Sequence, residues 1–99
     1  MESPTRIEAQ QAELYRWDAC LERLQVKAAT TAGSAREQAE AAISELRRQR
    51  NALGERLREV TSASVDGRRE GRQSVEAARD ELARRAAELE ARFEPRENA

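Results

Sequence analysis

The sequence contains no histidine and a single cysteine, Cys20. Without histidine the chain lacks the commonest general base and metal ligand at neutral pH. One cysteine can neither close an intramolecular disulfide nor build a structural zinc site, which takes four nitrogen or sulfur ligands. Aromatic residues are scarce, at one Trp, one Tyr and one Phe, so nothing offers a stacking platform for bases. There is no run of about 18 apolar residues, which excludes a membrane-spanning helix. The opening "MESPTRIEAQ" has no basic segment followed by an apolar one, so no secretory signal is expected. The glycines of "DGRREGRQS" lack both the Lys-Ser/Thr ending and the preceding strand of a phosphate loop. Together these absences lead us to expect a non-enzymatic, cytoplasmic protein without metal or cofactor.

Large apolar residues are also few. Leu, Ile, Val and Phe make up 15 of 99 residues. A chain this short and this poor in large side chains builds only a thin core, so part of its stability is expected from self-association. Charge is abundant but balanced: 18 basic against 19 acidic residues leave a net charge of -1, which suits pairing along and between helices.

The residues present are mostly Ala, Leu, Glu and Arg, and their apolar members recur with helical spacing. Ile7, Leu14, Leu21 and Ala28 fall every seven residues, with Trp17 and Leu24 three residues after Leu14 and Leu21. This is the a/d seam of a coiled coil, with Gln10 and Thr31 as weak layers. Ile43, Leu46, Leu53, Leu57 and Val60 continue the stripe, and Val75, Leu82, Leu89 and Phe93 form a third segment before Pro95. No segment alternates with period two, so no strand is expected. Gly33, Ser34 and Glu37 read as a helix stop followed by a capping box, yet the helical phase runs through them with only a stutter. Ser3-Pro4 reads as a helix start, Ser64 as an N-cap and Asp66 as a favourable first-turn acid.

The charge is uneven along the chain. Residues 1–45 carry a net -3, residues 46–72 a net +4 and residues 73–99 a net -2. A basic middle between acidic ends suits a chain folded back on itself, and it is the preferred use of "RRQR" (47–50) and "RREGR" (68–72) over nucleic-acid binding. The acidic neighbours Asp80/Glu81 and Glu88/Glu90 read as solvated helix-face charges rather than an acid/base pair. Cys20 reads as a small, partly buried side chain beside the seam.

Four stretches resemble a family of small bacterial coiled-coil proteins described as stress-response or apolipoprotein-like proteins. They are "YRWDACLERLQVKA" (15–28), "ISELRRQRNALGERLREV" (43–60), "SASVDG" (62–67) and "AARDELARRAAELEARF" (77–93). The family pattern has an early Trp, a long charged helix, an Ala-Ser-Gly-Asp-type turn and a shorter helix ending in Arg-Phe. Trp17, Ala63-Ser64, Asp66 and Arg92-Phe93 follow that order. The resemblance implies a helical hairpin and a stress-related role. The chain departs from the pattern at Arg68 and Arg79, where family members carry aromatic residues, and at Gly71, where they carry a large apolar one. Those departures imply a loosely packed start to the last helix.

The expected fold is thus a single all-α domain over residues 1–99, an antiparallel helical hairpin or coiled coil. Its long first helix runs over about 5–62 and its last over about 66–94, and the alternative is a three-helix bundle with an extra break at Gly33-Ser34. At about 1.5 Å rise per residue, the last helix of a hairpin covers only half of the first. Ile7, Leu14, Trp17, Leu21 and Leu24 then need another partner. The preferred partner is a second copy in a homodimer, or another helical protein. The expected function is self-association or helix–helix binding, and amphipathic binding to a lipid or granule surface is the second reading.

Overall fold

In a computed structural model, which describes residues 6–62 and 65–93, the chain forms three α-helices. They are α1 (Arg6–Ala29), α2 (Gly33–Ser62) and α3 (Val65–Phe93). The all-α expectation holds. The long first helix does not: the chain leaves the helix at Thr30 and re-enters it at Gly33, so the three-helix bundle replaces the hairpin. The expected Ser3-Pro4 start, Ser64 cap and Pro95 stop lie outside the described residues, as do the side chains of Asp66 and Arg68.

The break has a local cause. Thr30 and Thr31 are β-branched and have low helix propensity. Their hydroxyls both donate to the Lys27 carbonyl, at 2.8 and 3.1 Å. Backbone N–H groups of Thr30 and Thr31 donate to Lys27 O and Ala28 O at 3.2 and 3.0 Å. These bonds satisfy carbonyls that a helix end otherwise leaves open. Gly33 then takes φ 66°, a left-handed conformation that costs an L-residue about 1–2 kcal/mol and glycine very little.

Folding back closes most of the seam within one chain. Leu21, Leu24 and Ala28 of α1, Ala39, Ile43, Leu46, Leu53, Leu57 and Val60 of α2, and Val75, Leu82, Ala86 and Leu89 of α3 form one buried core. Leu14, Trp17, Cys20, Ala42, Ala78 and Phe93 pack half-buried against it. The helices do not share the work equally. α2 lies between the other two and packs extensively on each, while α1 barely touches α3. The molecule is elongated, 51 × 31 × 24 Å, with α2 setting its length at about 45 Å.

Candidate helix–helix interface

The residues expected along the seam separate into three groups. Leu21, Leu24, Ile43, Leu46, Leu53, Leu57, Val60, Val75, Leu82 and Leu89 are buried between the helices. Leu14, Trp17 and Phe93 are half-buried at its edges. Ile7 is 54% exposed and does not belong to the core. A heptad spacing drifts by about 20° per repeat on a straight 3.6-residue helix. Over the three repeats from Ala28 back to Ile7 this carries Ile7 roughly 60° round the helix. Tyr15 and Val26 are also exposed, at 67% and 66%. They lie eleven positions apart, on one outward face of α1.

Two contacts bring helix backbones close. Gly54 of α2 is buried, and a Cβ placed on it meets Leu14 Cδ1 at 3.4 Å. Gly71 of α3 faces Val60 of α2, and a Cβ there falls 2.6 Å from Val60 Cγ2. The start of α3 is therefore tightly packed at Gly71, contrary to the loose packing implied by the missing large side chain. A small residue lets α3 approach α2 where a large one would hold it away.

Polar contacts lock the register of α1. The Gln10 amide nitrogen donates to Thr61 Oγ1 at 2.9 Å and to Leu57 O at 3.3 Å, so the weak layer of the seam is a hydrogen-bonded one. Arg50 Nη2 donates to Asp18 Oδ2 at 3.0 Å, joining α2 to α1. Arg79 grips Glu13 through two hydrogen bonds of 2.6 and 2.7 Å. That carboxylate holds the guanidinium above its ordinary pKa, mainly by hydrogen bonding. Lys27 and Glu90 make a looser contact at 3.9 Å. Arg79 thus ties α3 to α1 by charge. Between α2 and α3, Arg56 hydrogen-bonds Ser74. Each partly exposed pair contributes at most about 1 kcal/mol, so these contacts choose orientation more than they set stability.

Arg48, Arg84 and Arg85 are engaged along their own helices. Glu81 pairs with Arg84 at 2.5 Å and Arg85 at 2.7 Å, Arg84 also reaches Glu88 at 3.3 Å, and Glu45 pairs with Arg48 at 2.7 Å. Because α1 and α3 stand apart, a groove lined by Gln10, Glu13, Leu57, Val60, Val75 and Arg79 runs between them. Among the described residues, no group of three or more His, Cys, Asp or Glu side chains is arranged to hold a metal ion, and no helix is long and apolar enough to cross a membrane. Compared with family models, curated proteins and solved structures, the chain matches none.

Proposed function

We propose that this protein works by helix–helix association, without catalysis, and that its first partner is a second copy of itself. The observation that carries the reading is the lopsided bundle. α1 rests on α2 and barely on α3, and its outer face carries Tyr15 and Val26 exposed. A helix held along one side offers more to a partner than a helix enclosed on all sides. The thin core supports the same reading, since a chain with 15 large aliphatic or Phe side chains among 99 residues gains stability by sharing surface. The missing histidine and the self-paired carboxylates give acid–base chemistry no support. The proposed role is stress-related, as the family resemblance implies, and the proposed location is the cytoplasm.

Sedimentation equilibrium over a wide dilution range tests the reading. The expected result is a monomer of 11.2 kDa in reversible exchange with a dimer. A strict monomer at every concentration would refute self-association. Liposome flotation decides the lipid reading: with the apolar stripes of all three helices turned inward, the protein is expected to stay at the bottom of the gradient.

A further inference from the structure

We infer that two copies associate by exchanging α1: the hinge at residues 30–33 straightens, α1 and α2 become one helix, and each α1 docks on the α2–α3 pair of the other copy. This rests on the self-association reading above and specifies its geometry. Three observations support it.

The first is phase. Ala28 at the end of α1 and Ala39 near the start of α2 are both buried and eleven residues apart. On an uninterrupted helix they lie within about 20° of one another. Straightening the hinge therefore keeps the buried stripes of α1 and α2 on one face. Two such helices laid antiparallel place each α1 against the partner's α2 in the direction it already runs.

The second is the hinge itself. Only Thr30, Thr31 and Ala32 separate the two helices, and Gly33 sits at φ 66°. Short connections of this kind favour exchange, because the open form has a low-energy straight conformation and the closed form does not relax further. Straightening also replaces the turn bonds of Thr30 and Thr31 to Lys27 and Ala28 with the regular bonds of a continuous helix.

The third is how α1 is held. Its docking surface is almost wholly α2, fixed by Asp18–Arg50 and Gln10–Thr61, with Glu13–Arg79 as its chief tie to α3. Every one of these contacts reforms unchanged with a partner's α2–α3. Exchange therefore loses no contact of the closed form except those at the hinge.

A charge-exchange experiment tests this directly. One chain carries Glu13→Arg and Asp18→Arg; the other carries Arg50→Glu and Arg79→Glu. Alone, each closed monomer sets like charges against each other at both sites. In an exchanged heterodimer, α1 of either chain meets the α2–α3 pair of the other, and both bundles regain opposite charges. A side-by-side dimer of closed chains repairs neither. The expected result is that an equimolar mixture sediments at about 22 kDa, twice 11.2 kDa, and melts above either chain alone. In parallel, Gly33→Ala in the otherwise unchanged chain is expected to tighten the dimer by about a thousand-fold or more. Alanine is strained in the closed hinge and favoured in the straight helix, once per chain. Inserting Gly-Gly after Ala32 is expected to do the reverse. A mixture that melts as the sum of its components, while the unchanged chain still dimerises, overturns the exchange and leaves self-association standing. A Gly33→Ala chain that keeps its helical signal and dimerises no more tightly overturns it as well. If neither the unchanged chain nor the mixture leaves the monomer, both readings fall.

Discussion

Replacing Gly71 with alanine puts the packing of α3 on α2 to a severe test. Two opposed effects decide the outcome. Glycine in a helix interior costs about 0.8–1.0 kcal/mol relative to alanine, so on propensity alone the substitution stabilises. Against this, the new methyl group falls 2.6 Å from Val60 Cγ2, with Val60 Cβ and Cα at 3.6 and 3.7 Å. Ordinary carbon contacts lie near 3.5–4.0 Å, so about 1 Å must be found. Val60 is 7% exposed and β-branched, with few rotamers to move into. Either Val60 leaves its preferred rotamer or α3 backs away from α2. Overpacking of this kind costs roughly 1–3 kcal/mol, which outweighs the propensity gain and leaves a net loss of up to about 2 kcal/mol.

Gly54→Ala is the matched control. It is also a glycine inside a helix and also against another helix, but its new methyl sits 3.4 Å from Leu14 Cδ1, the end of a side chain that can shift. Here the propensity term prevails, and the variant is expected to gain about 0.5–1 kcal/mol. At roughly 4–8 °C per kcal/mol for a domain of this size, thermal melts of the two variants should move in opposite directions from the parent. Val60→Ala supplies the closing step. It removes the atom in the way, so in that background Gly71→Ala should recover its propensity gain, giving a double-mutant coupling of about 1–3 kcal/mol. If Gly71→Ala stabilises the protein as much as Gly54→Ala does, α3 does not approach α2 as closely as the geometry requires.

Leu82, at 0% exposure between α2 and α3, is expected to cost about 2–5 kcal/mol on change to alanine, while Ile7→Ala stays within about 0.5 kcal/mol; denaturant unfolding of the two distinguishes core from surface, and equal effects would show the seam wrongly drawn. A double-mutant cycle on Asp18 and Arg50 should give a coupling of about 0.5–1 kcal/mol, reduced by added salt, because the pair is partly exposed. Arg48 hydrogen-bonds Glu45, and Arg84 followed by Arg85 hydrogen-bond Glu81; these contacts hold both carboxyls below their ordinary value of 4.5. A carboxyl depressed in the folded state contributes stability that is complete above pH 4.5 and lost as pH falls through the folded value. The melting temperature should therefore drop on acidification below pH 4.5, and Arg48→Gln with Arg84→Gln should shallow that drop; an unchanged slope would show that these pairs add nothing.

Much of the core was legible because burial follows a simple period. Leu21, Leu24, Leu53, Leu57, Leu82 and Leu89 are spaced for one helix face and are all buried. Ile7 was misread because a strict seven-residue count holds only where helices supercoil, and α1 drifts out of register at its start. Gly71 was misread for a different reason: an absent side chain looks the same in a sequence whether it leaves a void or admits a neighbouring backbone. Only the position of Val60, eleven residues upstream and on another helix, decides between the two. The Glu13–Arg79 bridge was beyond reach as well. The 66 positions between its partners are brought together by the fold-back at Gly33, which sequence spacing left undecided.

That fold-back turns on a narrow balance. The signals for a break, Thr30, Thr31 and Gly33, are local and weak, together about 2 kcal/mol of lost helix propensity. The signal for continuity, a buried stripe that keeps its phase from Ala28 to Ala39, is spread over many residues. In one chain the break prevails, because only folding back lets α1 bury Leu21 and Leu24 against α2. In the proposed exchange a second chain supplies that same burial without the break, while Tyr15 and Val26 stay on the outer face of α1 as in the closed form. If the proposed exchange operates, the choice between closed monomer and straight-helix dimer rests on four hinge residues and on concentration, while the core contacts stay the same in both. Core substitutions such as Leu82→Ala, between α2 and α3, should accordingly weaken closed and exchanged forms together, and hinge substitutions should move the monomer–dimer equilibrium.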